Sequence, residues 1–173
     1  MINKEYEPRA GPGVSPAELG MRMERSDSLT HVVILGSTGS IGRSAMSVID
    51  HDGGVRLKAW GLSSHARWKM MAEQAIAHRP RFVAVADPEL APLAQSELRG
   101  TGIEVLVGLD GIIRMVEDPR TDRVLSAIVG AVGLRGTWAA LEAGKIVALA
   151  NKETLVVAGP LIMELAQIGR AHV

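Results

Sequence analysis

An α/β fold built on a doubly wound parallel sheet is the class this sequence predicts, on three observations. Short apolar runs of strand length alternate with helical patterns six times between residues 31 and 150. Those runs are nearly continuous, as at 32–35, 82–86 and 146–150, which is what strands covered on both faces require. The first run leads straight into three spaced glycines, Gly36, Gly39 and Gly42, and then into an apolar helical pattern.

Each element has a local reason. The first strand is expected at about 31–35, and its helix at about 40–50 carries Ile41, Ala45, Met46, Val48 and Ile49. A second strand at about 55–60 precedes a helix at about 65–78, which stops before Pro80 because the residue before a proline disfavours helix. The third strand is 82–86. Asp87, Pro88 and Glu89 then supply an N-cap, a first-turn proline and an acidic first turn for a helix to about 98. A fourth strand at 103–107 is followed by a short helix to about Val116, with Asp110 as its expected cap. The fifth strand is about 124–129. The glycine-rich turn Gly130-Ala131-Val132-Gly133 leads to a helix ending near Ala143-Gly144, and strand six is 146–150. A last helix is expected from about Glu153.

Composition narrows the class of function. The 173 residues suffice for one domain with a sizeable core, and hydrophobic residues make up 47%. Lys plus Arg equals Asp plus Glu at 19 each, so no net field attracts nucleic acid or an acidic membrane surface, and neither is expected as a partner. The absence of cysteine excludes disulfides, thiolate catalysis and Cys-ligated zinc, and permits a reducing cytoplasm. Aromatics are scarce, so the core is expected to be aliphatic and alanine-rich. No apolar run reaches the roughly 20 residues of a membrane helix. Residues 1–30 read as a disordered or partly helical tail, with Ser15-Pro16-Ala17-Glu18 able to cap a short helix through Met23.

The segment Gly36-Ser37-Thr38-Gly39-Ser40-Ile41-Gly42 carries the first chemistry. Strand, tight turn and helix in that order form a Rossmann-like pocket for a dinucleotide. Gly36 allows the sharp turn, Gly39 lets backbone approach a pyrophosphate, and Gly42 lets helix and strand pack closely. The free N–H groups and dipole at the helix start face the phosphates. The end of the second strand then selects the cofactor, because a carboxylate there binds the ribose hydroxyl of NAD and a cation accommodates the 2′-phosphate of NADP. Leu62, Ser63, Ser64, His65, Ala66 and Arg67 contain no carboxylate. Ser63 and Ser64 can hydrogen-bond a phosphate and Arg67 can supply charge, which favours NADP; the serines can equally cap the following helix.

Two further strand ends carry polar or small groups where open parallel sheets bind ligands. Ala127 and Gly130, with their small neighbours, would let a cofactor lie flat against backbone, or form a plain turn. Asn151, Lys152 and Glu153 place an amide, an amine and a carboxylate directly after strand six. Lys152 suits an anionic or hydroxylated substrate, Asn151 the cofactor amide, and Glu153 a hydrogen-bonding or acid–base role; Asn151 could instead cap the last helix. His31, His51, His78 and His172 have no metal-ligand spacing and read as surface or capping residues, and Asp50 and Asp52 simply flank His51 in a turn.

Together, the glycine segment, Ala127-Ile128-Val129-Gly130-Ala131-Val132-Gly133-Leu134, Ala143-Gly144-Lys145 and Leu149-Ala150-Asn151-Lys152-Glu153-Thr154-Leu155-Val156 resemble the 1-deoxy-D-xylulose 5-phosphate reductoisomerases, in that family's order, over about residues 31–167. The resemblance implies an NADPH-dependent oxidoreductase and isomerase of the non-mevalonate isoprenoid pathway, cytoplasmic and homodimeric when full length. It would rearrange and reduce the phosphosugar 1-deoxy-D-xylulose 5-phosphate to 2-C-methyl-D-erythritol 4-phosphate. It implies NADPH contacts at Thr38, Gly39, Ser40, Ile41, Asn151 and Glu153, and a substrate contact at Lys152; the reading of the residues themselves adds Gly36, Ser37, Gly42, Leu62, Ser63, Ser64, Arg67, Ala127 and Gly130 to the expected cofactor site. It also implies a divalent cation, Mg²⁺, Mn²⁺ or Co²⁺, whose Asp and Glu ligands fall beyond Val173, together with a lid and a C-terminal helical domain. No catalytic residue is therefore expected within these 173 positions, and the chain alone is expected to be inactive. Residues 168–173 are expected to be a non-native tail, since Ile-Gly-Arg-Ala-His-Val matches a translated sequencing adapter. Two alternatives stand beside this: a homoserine dehydrogenase-like NAD(P) oxidoreductase, and a non-catalytic nucleotide-binding module.

Overall fold

The computed structural model describes residues 29–128 and 131–150; the tail at 1–28 and the segment 151–173 lie outside the described residues. Six strands form one sheet in the order β4-β3-β2-β1-β5-β6, and every pairing is parallel. The strands are β1 (Thr30–Leu35), β2 (Leu57–Ser64), β3 (Phe82–Val85), β4 (Glu104–Val107), β5 (Arg123–Ser126) and β6 (Ile146–Leu149). The helices are α1 (Ser40–Asp52), α2 (Trp68–His78), α3 (Ala91–Glu97), α4 (Gly108–Glu117) and α5 (Ala131–Glu142), with a 3₁₀ turn at Pro88–Leu90. The chain lays down β1 to β4 in one direction, and then α4 carries it back so that β5 pairs with the free edge of β1. The strand order thus reverses between β1 and β5, and a crevice opens at the carboxyl ends of those two strands.

Period-two alternation divides the core into two layers. Val33, Leu35, Phe82, Ala84 and Val124 face Ile112, Met115 and Val116 of α4 and Ala139, Ala140 and Leu141 of α5. Ile34, Leu62, Val83 and Val85 face Met46 and Ile49 of α1, Met71, Ala72 and Ala75 of α2, and Ala91 and Ala94 of α3. The predicted aliphatic, alanine-rich core is what closes both faces. Trp60 and Phe82 are the aromatic members, meeting edge to face at 6.4 Å.

One irregularity shapes β2. Its register with β1 shifts between Val32 and Val33, whose partners are Ala59 and Gly61. Trp60 and Gly61 consequently face the same layer. A Cβ on Gly61 would collide with Met115 Sδ and lie 2.6 Å from Met115 Cγ, so the bulge requires a residue without a side chain there.

Three expectations about element ends need correction. The second strand does not stop near residue 60 but runs to Ser64, paired with Ala84 and Val85 through Ser63 and Ser64. Helix α2 therefore starts at Trp68, with Arg67 as N-cap and no side-chain cap, so neither Ser63 nor Ser64 caps it. Asp110 is not the cap of α4 either. Gly108, at φ +67°, turns the chain directly from β4 into the helix, and Asp110 sits in its first turn. Asp87, by contrast, caps as expected, accepting from the Glu89 N–H at 3.0 Å.

Candidate functional site

The crevice is built around the turn from β1 to α1. Gly36 leaves the strand at φ +85°, which a side chain would resist. Its missing Cβ would lie 3.0 Å from the Ala127 carbonyl oxygen, so β5 is pressed against the turn at this point. The Ala127 N–H donates to Leu35 O at 2.9 Å and fixes that approach. Gly39 N–H donates to Gly36 O at 3.1 Å and closes the turn. A Cβ on Gly42 would run into Gly36 O and come within 2.6 Å of Ser37 Cα, so the close helix–strand packing expected of this glycine is present. A Cβ on Gly39 would meet nothing nearer than Gly36 O at 3.3 Å, so the face above Gly39 is open. Ser40 and Ile41, the first two helical residues, are exposed there. Among the described residues no acceptor pairs with the N–H groups of Thr38, Ser40 or Ile41. That open face and these free donors fit a dinucleotide pyrophosphate.

The tip of β2 supports the turn from the side. Gly36 N–H donates to Ser63 Oγ at 3.0 Å, and Ser37 N–H donates to Ser63 O at 2.9 Å. Thr38 Oγ1 and Ser64 Oγ share a hydrogen bond of 3.1 Å. Ser37, Thr38, Ser63 and Ser64 are all buried, so these hydroxyls are spent on holding the turn. The side chain of Leu62 is fully buried in the layer under α1 and α2, because the bulge at Gly61 turns it into the core. The exposed turn beside the crevice is therefore the shorter stretch His65, Ala66 and Arg67. It contains no carboxylate, and Arg67 Nη1 donates to Thr38 O at 3.2 Å, leaving the rest of the guanidinium beside the glycine turn.

Across the crevice, β5 ends at Ser126. Thr137 Oγ1 of α5 lies 2.8 Å from Ser126 Oγ and 2.8 Å from Gly133 O, a buried polar link beneath the strand end. A Cβ on Gly133 would collide with Ile128 O. Gly133 thus repeats on α5 what Gly42 does on α1, each the third residue of its helix and each seated on a carbonyl at a strand end. Ala127 is half-buried at the crevice wall. Ala150 N–H donates to Ser126 O at 3.0 Å, bringing the end of β6 level with β5. Gly130, Asn151, Lys152 and Glu153 lie outside the described residues.

The remaining polar residues do structural work. His31 is half-buried: its ring lies against Trp60, with centroids 4.4 Å apart and planes tilted by 47°, and its backbone N–H donates to Asp122 Oδ2 at 2.7 Å. Arg120 lies over the same indole at 4.4 Å, and Trp60 Nε1 donates to Asp118 Oδ1 at 3.1 Å. His78 Nε2 is 3.4 Å from Asp50 Oδ1, while His51 and His65 are exposed and His172 lies outside the described residues. Asp52 accepts from the N–H groups of Arg56 at 2.6 Å and Leu57 at 2.8 Å, and from Arg56 Nε at 2.9 Å. The Arg56 N–H is the main cause that holds its carboxyl below the usual carboxylate range. Among the described residues, no group of three or more acidic or histidine side chains could hold a metal ion. No helix among them is long and apolar enough to cross a membrane.

Comparison with known proteins identifies the relatives of this arrangement. The family described as 1-deoxy-D-xylulose 5-phosphate reductoisomerase matches residues 32–159. A reductoisomerase of that name from Heliobacterium modesticaldum is 44% identical over 141 residues, which are 80% of this chain and 36% of the relative. The solved structure of the Zymomonas mobilis reductoisomerase in complex with NADPH is similar with a TM-score of 0.80 at 32% identity, over 84% of this chain and 38% of that one. A DOX-P reductoisomerase in complex with NADPH, fosmidomycin and magnesium gives 0.79 at 34% identity, over 83% and 35%. The chain spans just over a third of the length of these relatives. The homoserine dehydrogenase-like alternative gives way to this match. Because the matched stretch contains the glycine turn, the β2 tip and the β5 end that wall the crevice, this chain belongs to the 1-deoxy-D-xylulose 5-phosphate reductoisomerase family.

Proposed function

We propose that this chain supplies the NADPH side of a reductoisomerase active site, within an enzyme that rearranges and reduces 1-deoxy-D-xylulose 5-phosphate to 2-C-methyl-D-erythritol 4-phosphate. The observation that carries this is the open glycine turn braced by β2, with Arg67 and no carboxylate beside it. Gly36 to Gly42 would receive the pyrophosphate on free backbone N–H groups, and Arg67 the 2′-phosphate. Ser63 and Ser64 act through the turn that they hold. Ala127 and Gly130 would border the nicotinamide half, followed by Asn151 and Glu153, with Lys152 toward the substrate. NADPH, when bound, supplies the hydride for the reduction. The described residues do not fit a divalent cation, so the Mg²⁺, Mn²⁺ or Co²⁺ that such chemistry needs to polarise a carbonyl would be held elsewhere. Residues 31–167 would form the cofactor domain of a cytoplasmic homodimer.

Titrating the protein with NADPH and with NADH, following quenching of its Trp60, Trp68 and Trp138 fluorescence, tests the proposal. Saturable binding of NADPH at least tenfold tighter than of NADH is expected, since a charge-assisted contact to the 2′-phosphate contributes about 1.5–3 kcal/mol. Equal affinities, or none for either, would overturn it.

A further inference from the structure

Gln74 stands two helical turns beyond Arg67 on α2, and both reach the glycine turn. Gln74 Nε2 donates to Ser37 O at 3.1 Å, and Arg67 Nη1 donates to Thr38 O at 3.2 Å. Two successive carbonyls of the turn are thus drawn toward one helix. Gln74 Oε1 is buried with no partner among the described residues. A buried amide oxygen without a partner is costly, and an apolar side chain of similar length would avoid that cost. What an apolar side chain cannot do is donate to Ser37 O.

Peptide geometry says what that donation accomplishes. The Ser37 carbonyl and the Thr38 N–H belong to one planar trans peptide and point in opposite directions. Drawing the oxygen toward α2 therefore aims the Thr38 N–H away from it, to the side where no described residue accepts a hydrogen bond. Gly39, whose N–H closes the turn on Gly36 O, follows immediately. We propose that Gln74 is a positioning residue for the phosphate-binding turn: its side-chain amide clamps the Ser37 carbonyl and so presents the Thr38 N–H to the dinucleotide pyrophosphate. This rests on the NADPH proposal above. It adds a residue in the second half of α2 that does not itself touch the cofactor.

The test uses Gln74→Glu, which keeps the shape but cannot donate when ionised, and Gln74→Met, which keeps the length without polar atoms. Binding of NADPH is compared with binding of adenosine 2′-monophosphate, which has the 2′-phosphate but no pyrophosphate. Amide exchange of Gly39 is followed by NMR in the cofactor-free protein. Either variant that folds is expected to bind NADPH about tenfold more weakly. Adenosine 2′-monophosphate should change by less than about twofold on the same scale, and exchange at Gly39 should be faster. Unchanged NADPH affinity, or equal weakening of both ligands, would overturn the assignment. If the unsubstituted protein binds no NADPH, the functional proposal fails. Gly39 exchange then decides alone: acceleration supports the clamp, and an unchanged rate sinks it.

Discussion

The Gly36 N–H donates to Ser63 Oγ across 3.0 Å, so the first peptide of the glycine turn is held by the neighbouring strand and not by its own helix. The Ser63 carbonyl accepts the next N–H, that of Ser37, at 2.9 Å. One fully buried residue satisfies two successive donors. Ser63→Ala removes the hydroxyl and strands the Gly36 N–H away from water. Stability is expected to fall by about 1–3 kcal/mol, and NADPH affinity to fall with it, because the turn loses its lateral brace. Urea unfolding and NADPH titration check both. A variant with unchanged stability would mean that water replaces the hydroxyl.

Gly42→Ala attacks the same turn from the helix side. The added methyl would collide with Gly36 O and approach Ser37 Cα to 2.6 Å, both backbone atoms without freedom to move aside. The helix start must shift, at a cost of about 1–3 kcal/mol typical of overpacking, and more than tenfold loss of NADPH binding is expected. Gly54→Ala is the control. Gly54 has φ +77° and no atom within 4 Å of its missing Cβ. Its replacement should cost only the left-handed strain, about 1–2 kcal/mol, and leave NADPH binding intact. Melting curves beside titrations separate the two effects.

Arg67 is the cation beside the turn, and its substitution is expected to change cofactor preference. Arg67→Gln can still hydrogen-bond Thr38 O but brings no charge to a 2′-phosphate. NADPH affinity should fall about tenfold or more while NADH affinity stays within about twofold. Parallel loss of both would assign Arg67 to holding the turn alone.

Asp52 ties the end of α1 to the start of β2 and gives the protein an acid-sensitive joint. Its carboxyl is held below the ordinary value of 3.8, chiefly by the Arg56 N–H and then by the Leu57 N–H. The folded state therefore prefers the ionised form more than the unfolded chain does. The resulting stability is fully present above the unfolded value and is lost as pH falls through the lower folded one. Asp52→Asn should be less stable than the unsubstituted protein at pH 7, and the gap should close below about pH 4. Thermal midpoints of both proteins from pH 7 to pH 3 check this; a gap that persists unchanged at pH 3 would rule it out.

How far the sequence was readable depends on the range of the interaction. The six strands and the glycine turn after the first of them are legible because they rest on local patterning and on glycines whose absent side chains matter to near neighbours, as Gly42 does to Gly36. The end of β2 is not. Ser63 and Ser64 have the composition of a turn, and it is pairing with Ala84 and Val85 of β3, together with hydrogen bonds to Gly36 and Thr38 at 27 and 26 positions' distance, that keeps them in a strand. The same tertiary contacts place the Ser63 and Ser64 hydroxyls on the glycine turn, and the bulge at Gly61 sends the Leu62 side chain into the core. Gln74 gives no signal at all, since beside Glu73 it resembles any solvent-facing helical residue. Its role depends on where Ser37 O lies in space.

The Gly61–Met115 contact offers a sharper check, because two substitutions at one contact should not add. Gly61→Ala places a methyl against Met115 Sδ and 2.6 Å from Met115 Cγ in a layer where Met115 is fully buried. Alone it should destabilise by about 1–3 kcal/mol through overpacking. Met115→Ala alone should cost about 2–5 kcal/mol, because α4 loses the side chain that fills the space above the bulge. In the double variant the new methyl occupies part of the vacated volume. The combined loss should therefore fall short of the sum of the two single losses by at least about 0.5 kcal/mol, the coupling expected of residues in contact. Chemical unfolding of the four proteins measures the cycle. Strict additivity would show that the bulge relaxes independently of α4, and that glycine at position 61 serves the backbone of β2 and not its packing.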